Sequence, residues 1–137
     1  MSVGILVVSH SEQAARGIAE IAAQMSGAAD EGGVTIVAVG GNGEGGLGVS
    51  VGKIADALSG MISSCDGVLI IPDLGSSVLS SRGVIETLGE GDAAKVAIAD
   101  APILEGALMA AVEASSGSGL AEVTAAAEEA RELRKNE

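Results

Sequence analysis

The 137-residue sequence contains no phenylalanine, tyrosine or tryptophan. This absence excludes the stacking of bases on aromatic rings, on which most binding of single-stranded nucleic acid depends. Only 7 basic residues stand against 19 acidic ones, and the net charge of −12 repels phosphate backbones and anionic lipid headgroups. We therefore expect neither nucleic acid nor a membrane among the partners, and we expect proteins or small ligands instead.

Cysteine and histidine occur only once each, as Cys65 and His10. A single cysteine permits no internal disulfide, which is typical of a reducing compartment, and the two residues together are too few ligands for a zinc site. No apolar run reaches the roughly 18 residues of a membrane-spanning helix, and the N-terminal stretch lacks the features of a signal peptide. We expect a cytoplasmic protein that uses neither a metal nor another cofactor.

The residues that are present suffice for one hydrophobic core. Hydrophobic residues make up 47% of the chain, and its length suits a single domain over residues 1–137. Because aromatic residues are missing and glycine occurs 21 times, Val, Ile, Leu, Ala and Met must fill this core.

Short β-branched runs alternate with helical patterns along the chain. The runs predict strands at 3–8, 34–39, 67–71 and 95–99. Apolar residues at helical spacing predict helices at 11–25, 51–62, 75–88, 104–114 and about 120–134. This alternation predicts an open α/β fold, in which a mainly parallel four-stranded sheet is covered by helices on both faces in three layers.

The ends of two predicted strands carry a histidine and an aspartate. In such folds, ligands bind at the carboxyl ends of the strands, where His10 follows the first strand and Asp73 the third. A carboxylate that accepts one imidazole N–H fixes the tautomer and makes the other nitrogen more nucleophilic. We therefore predict that Asp73 orients a reactive His10. The alternatives are an inert histidine in an exposed turn and an aspartate that only caps the third helix.

The segment between the second strand and the second helix is rich in glycine. Its G-x-G-x-x-G pattern at Gly41, Gly43 and Gly46 follows the wrong strand for a dinucleotide fingerprint, and the spacing of a Walker loop is absent. The loop leads into a helix at Ser50 and is either an anion site or an ordinary surface loop.

Hydroxyl and amide groups are common at the predicted helix starts near His10. Exposed N–H groups and hydroxyls at helix N-termini suit a phosphoryl group, and the absence of Lys and Arg from these loops favours a phosphate that is easily passed on. We predict phosphate binding by Ser11, Ser50, Gly75, Ser76 and Ser77.

Four segments together resemble a known family. The segments VVSHS (7–11), GVS (48–50), DLGSSVLS (73–80) and APILEGA (101–107) resemble, in order and spacing, the phosphoryl-carrier subunits of phosphoenolpyruvate-dependent dihydroxyacetone kinase. These subunits are similar to the mannose-type enzyme IIA domains of the sugar phosphotransferase system. Ser11 and Glu105 favour the dihydroxyacetone branch over the sugar permeases.

The resemblance implies a cytoplasmic, homodimeric phosphotransferase subunit of the mannose-type enzyme IIA fold. His10 would accept a phosphoryl group from the histidine-containing phosphocarrier protein, with Asp73 orienting its ring. The group would pass to ADP on the nucleotide-binding subunit of dihydroxyacetone kinase, which works with a substrate-binding subunit. The alternatives are the enzyme IIA subunit of a mannose-family sugar permease and a non-catalytic anion-binding regulatory module. Either imidazole nitrogen is a candidate for phosphorylation at this stage.

Overall fold

The structure, a computed structural model, describes residues 2–28 and 33–136. Its strands are β1 (Val3–Ser9), β2 (Ile36–Gly40), β3 (Gly67–Pro72) and β4 (Val96–Ile98). Its helices are α1 (Glu12–Ser26), α2 (Val51–Ser64), α3 (Gly75–Glu86), α4 (Glu90–Ala93), α5 (Ile103–Ser115) and α6 (Leu120–Glu129). A 3₁₀ turn, Ala130–Glu132, follows α6.

The strands form one parallel sheet in the order β2-β1-β3-β4. Strand β2 pairs with one side of β1, and β3, which follows β2 along the chain, pairs with the other side of β1. The strand order therefore reverses between β1 and β3, which pair from Val3↔Gly67 to Val8↔Pro72. Such a reversal opens a crevice at the carboxyl ends of the two strands, and this is where His10 and Asp73 emerge.

Helices cover both faces of the sheet, which confirms the predicted three-layer α/β fold. Val3, Ile5 and Val7 of β1 pack toward α1, α5 and α6, whereas Leu6 and Val8 pack toward α2 and α3. The central strands β1 and β3 are buried along their whole length, as their continuous apolar runs predicted.

Alanine takes the place of aromatic residues on one of these faces. Four alanines of α5 are buried: Ala107, Ala110, Ala111 and Ala114. Their small side chains let α5 lie close to the sheet and to α1, so that the core is filled without large rings.

Several element ends differ from the sequence prediction. Strand β2 begins at Ile36, two residues late, and α3 ends at Glu86, where the Thr87 hydroxyl donates to Val84 O. The helix α4 was not predicted. The last helix does not continue to residue 134: α6 ends at Glu129, and Arg131 turns to donate to Asp100 Oδ2 at 2.9 Å.

Gly40 ends β2 where the chain passes the beginning of α1. A Cβ atom at this position would lie 2.4 Å from Ser11 O and 2.8 Å from Glu12 Cα, and neither backbone atom can move aside alone. We expect Gly40→Ala to lower the free energy of unfolding by about 1–3 kcal/mol in urea titrations, because the inserted methyl group overpacks the contact.

Gly60→Ala is the matched control for this substitution. Gly60 lies inside α2, and a Cβ atom there would meet nothing within 4 Å. The higher helix propensity of alanine should raise stability by up to about 1 kcal/mol. Equal stabilities of the two variants would contradict the close contact at Gly40.

Candidate functional site

The carboxylate of Asp73 holds both the ring and the backbone of His10. The ring Nδ1 lies 3.0 Å from Asp73 Oδ1, and the His10 backbone N–H donates to Oδ2 at 3.0 Å. The His10 side chain is 26% exposed and that of Asp73 is 16% exposed. An ionised carboxylate can only accept hydrogen bonds, so Nδ1 carries a proton, and in the neutral ring this leaves the lone pair on Nε2.

Five donors surround the Asp73 carboxylate. Oδ1 accepts from Ser77 Oγ at 2.5 Å, from Leu74 N at 2.8 Å and from the His10 ring, while Oδ2 accepts from Ser9 Oγ at 2.9 Å and from His10 N. Burial opposes ionisation, but the hydrogen bonds from Ser77, His10 and Ser9 outweigh it and hold the pKa of Asp73 below its ordinary value. Asp73 is therefore charged at neutral pH.

The lowered pKa of Asp73 predicts how the free energy of unfolding changes at acidic pH. A carboxylate whose pKa is depressed by folding stabilises the protein above the pKa of the unfolded state, here 3.8, and this contribution is lost as the pH falls below that value. We expect the stability difference between the wild type and Asp73→Asn to shrink between pH 7 and about pH 3 in urea unfolding. A difference that stays constant with pH would contradict the assigned hydrogen bonds.

The other ring nitrogen of His10 faces the beginning of α3. Its Nε2 lies 2.6 Å from the hydroxyl oxygen of Ser76, which is exposed. The residue that precedes the helix, Leu74, makes no side-chain capping hydrogen bond. The backbone N–H groups of Gly75 and Ser76 lie in the first helical turn, where no intrahelical acceptor exists for them. Nε2 thus stands beside a hydroxyl and a helix N-terminus, a setting that suits an anion.

The remaining predicted phosphate ligands have other partners. Ser77 is fully buried, and its hydroxyl donates to Asp73 and lies 3.3 Å from Nδ1 of His10. Ser11 and Ser50 are the N-cap residues of α1 and α2, as the sequence predicted, and their hydroxyls accept from Ala14 N and Lys53 N. The structure thus brings the hydroxyls of Ser76 and Ser77 to the His10 ring, with Gly75 beside Ser76 at the start of α3. The Ser11 and Ser50 hydroxyls bond to their own helices.

The glycine loop between β2 and α2 adjoins the site. Gly48 N donates to His10 O at 2.9 Å, and positive φ angles at Gly41, Gly43, Gly45 and Gly48 account for its glycine content. A cavity of about 370 Å³ separates this loop from the beginning of α1. Residues lining the cavity include Ser11, Gln13, Gly41, Gly43, Leu47 and Lys53.

Sequence reasoning placed Ser9 beside His10 in the VVSHS segment but assigned no role to Ser9 or to Lys53. Ser9 is a buried serine at the end of an otherwise apolar strand, which was a usable signal. Lys53 lies in the first turn of α2, and its Nζ donates to Gly40 O at 3.2 Å. No sequence pattern shows that its side chain folds back toward the loop.

The three segments around His10 expose apolar side chains and are balanced in charge. Four side chains in the glycine loop and in the starts of α2 and α3 are more than half exposed: Leu47, Val51, Leu74 and Leu79. The segments 9–16, 40–53 and 73–82 carry equal numbers of opposite charges, namely Glu12, Glu44 and Asp73 with Arg16, Lys53 and Arg82. The excess negative charge of the protein lies elsewhere on the chain.

Residues 2–28 and 33–136 contain neither a metal-binding cluster nor a membrane-spanning helix. In these ranges no group of three or more His, Cys, Asp and Glu residues is placed to hold a metal ion. None of the helices described has the length and apolar character needed to cross a bilayer.

Two curated proteins, both DhaM subunits, are similar in sequence to this chain. The phosphoryl donor subunit DhaM of the PEP-dependent dihydroxyacetone kinase of Escherichia coli is 33% identical over 98% of this chain but over only 28% of its own length. The DhaM subunit of kinase 2 of Listeria innocua is 36% identical over 81% of this chain and 85% of its own length. The chain thus spans less than a third of the first relative and most of the second.

Solved structures and a family model agree with these similarities. A protein of unknown function is 38% identical, with a TM-score of 0.82 over 93% of this chain and 94% of that one. A phosphotransferase system component EIIA from Streptococcus agalactiae shares the fold, with a TM-score of 0.69 and 14% identity over 97% of this chain and 96% of that one. The EIIA-man model, described as the fructose IIA component of the phosphotransferase system, matches residues 4–124. Since this match spans nearly the whole chain and both named relatives exceed 30% identity, the family that the four motifs indicated is confirmed, and the chain belongs to the EIIA-man family.

Proposed function

We propose that this protein is a phosphohistidine carrier in which Nε2 of His10 takes up and passes on a phosphoryl group. The observation that carries the proposal is the pairing of Nδ1 with the ionised Asp73, which leaves the lone pair of Nε2 on the exposed side of the ring. This pairing sets the tautomer that a nucleophilic histidine needs.

The proposed transfer step places a positive charge on the His10 ring, and Asp73 compensates that charge. The Nε2 lone pair attacks phosphorus, an Nε2–P bond forms, and the bond between phosphorus and the donor breaks. The ring keeps its proton on Nδ1 and so gains a positive charge. The carboxylate of Asp73, 3.0 Å from Nδ1, faces that charge and stabilises it as it develops. In the second step an acceptor oxygen attacks the phosphorus, the Nε2–P bond breaks with its electron pair returning to Nε2, and the ring becomes the neutral Nδ1–H tautomer again.

The beginning of α3 is the proposed binding site for the phosphoryl oxygens. The Ser76 hydroxyl must turn away from Nε2 to admit phosphorus, after which it can donate to a phosphoryl oxygen. The backbone N–H groups of Gly75 and Ser76 supply further donors, and the helix dipole favours the negative charge. In this proposal Ser77 supports Asp73, while Ser11 and Ser50 act through the helix starts that they cap.

We propose the histidine-containing phosphocarrier protein as the donor and ADP on the nucleotide-binding subunit of dihydroxyacetone kinase as the acceptor. Two relatives named as phosphoryl donor subunits of that kinase support the choice, as do Ser11 and Glu105. We further propose that the substrate-binding subunit of the kinase takes part in the relay. The protein itself is then a cytoplasmic homodimer. Light scattering of the purified protein tests the homodimer directly.

Reconstitution of the relay tests the assignment. The protein is charged with phosphoenolpyruvate and the donor proteins, freed from them, and mixed with both dihydroxyacetone kinase subunits, ADP and dihydroxyacetone. We expect loss of phosphohistidine together with formation of dihydroxyacetone phosphate, and neither should occur without the nucleotide-binding subunit.

The same experiment separates the alternatives. Discharge that requires a mannose-family permease and a hexose would assign the protein to the sugar branch while keeping the carrier chemistry. Failure to take up phosphate from the donor proteins at all would favour the anion-binding regulatory module.

A further inference from the structure

Ser9 carries a polar side chain that the mechanism above does not use. It ends β1, whose other residues are Val, Gly, Ile and Leu, and it is only 3% exposed. A buried hydroxyl is costly unless it is hydrogen bonded. The Ser9 hydroxyl donates to Asp73 Oδ2 at 2.9 Å and accepts from Ser11 N at 3.1 Å. Its only proton is thereby committed to the carboxylate that faces His10.

The two oxygens of Asp73 differ in how they are held. Oδ1, which contacts the ring of His10, also accepts from Ser77 and Leu74. Oδ2 accepts only from Ser9 Oγ and His10 N among the described residues. The terminal torsion of an aspartate is broad and weakly restrained by itself. Hydrogen bonds to Oδ2 therefore act together with those to Oδ1 in keeping Oδ1 directed at Nδ1.

We propose that Ser9 is a positioning residue for phosphoryl transfer, because its hydroxyl holds the Asp73 carboxylate in the orientation that keeps the proton on Nδ1 of His10. This inference rests on the proposed carrier function. Ser9 touches neither ring nitrogen in the hydrogen bonds described, so it acts on the ring through Asp73 and not by direct contact. Its bond to Ser11 N also ties the carboxylate to the start of α1 and to the backbone on either side of His10.

The test compares Ser9→Ala, which removes the hydroxyl, with Ser9→Thr, which keeps it. Ser63→Ala is the matched control, since its hydroxyl donates to Ser59 O on the exposed face of α2. Two quantities are measured for each folded variant: the rate of phosphorylation by the donor proteins, and the proportion of the His10 ring protonated at Nδ1, obtained from ¹⁵N NMR of the imidazole.

We expect Ser9→Ala to stay folded, to be phosphorylated about 10-fold more slowly and to show a smaller fraction of the Nδ1-protonated tautomer. Ser9→Thr should recover most of both losses relative to Ser9→Ala, and Ser63→Ala should match the wild type in both measurements. A wild-type transfer rate in Ser9→Ala would overturn the inference. Slow transfer with an unchanged tautomer would overturn it too, because a merely structural role leaves the tautomer where it was.

The tautomer measurement needs no donor protein, so the two proposals fail separately. If the wild type takes up no phosphate, the carrier function is wrong. An altered tautomer in Ser9→Ala would then still show that Ser9 orients Asp73.

Discussion

His10→Ala is expected to take up no phosphoryl group from phosphoenolpyruvate and the donor proteins. His10 is the only histidine of the chain, and its Nε2 is the proposed nucleophile, since Asp73 accepts from Nδ1. Intact-protein mass spectrometry should show a single added phosphoryl group on the wild type and none on the variant. The bond in the wild type should be labile in acid and stable in base, as a phosphohistidine is.

Ser76→Ala is the control for this result. It removes the hydroxyl 2.6 Å from Nε2 but leaves the nucleophile in place, so it should still be labelled. If His10→Ala keeps its label, and the label resists acid, a serine of the site is the acceptor and the proposed chemistry is wrong.

Asp73→Asn is expected to slow phosphoryl transfer by about 100-fold or more. Asparagine has the shape of aspartate but lacks its charge, so the positive ring that forms during transfer is no longer compensated. Its amide group also cannot accept all five of the hydrogen bonds that converge on the carboxylate. Single-turnover rates of charging by the donor protein measure the effect.

Asp66→Asn is the matched control. Asp66 is an exposed carboxylate that immediately precedes β3, at the opposite end of the strand from Asp73, and it accepts from Ser2 N at 2.7 Å. The control should transfer at the wild-type rate. An equally fast Asp73→Asn, folded by circular dichroism, would mean that Asp73 serves only the local backbone at the start of α3.

The sequence predicted the fold and the principal pair of the site because both depend on local patterns. Continuous apolar runs indicate buried parallel strands. Because ligands bind at the carboxyl ends of such strands, the sequence predicts that His10 and Asp73 lie close together. Ser11 and Ser50 were recognised as helix starts because capping is decided within three residues.

The parts that the sequence did not predict depend on contacts between distant segments. Ser77 was predicted as a site residue, and its bond to Asp73, four positions away, is local. The Ser9 hydroxyl was free to face solvent, a helix carbonyl or Asp73, and only the pairing of β1 with β3 brings it to that carboxylate. The end of α6 was misplaced for the same reason, because the Arg131 side chain bonds to Asp100, 31 positions away along the chain.

In the proposed carrier the reactive nitrogen lies on the side of the His10 ring away from Asp73, which constrains the order of events in the relay. Nε2 lies beside Ser76 while Asp73 closes the other side of the ring, so a donor and an acceptor must use the same approach. We expect the two to exclude one another and the overall kinetics to be of the double-displacement type. An excess of acceptor subunit should then slow rephosphorylation by occupying the unphosphorylated carrier. Added donor protein should restore the rate of phosphoryl transfer. Since the charges near this face are balanced, that competition should depend on apolar contact more than on ionic strength.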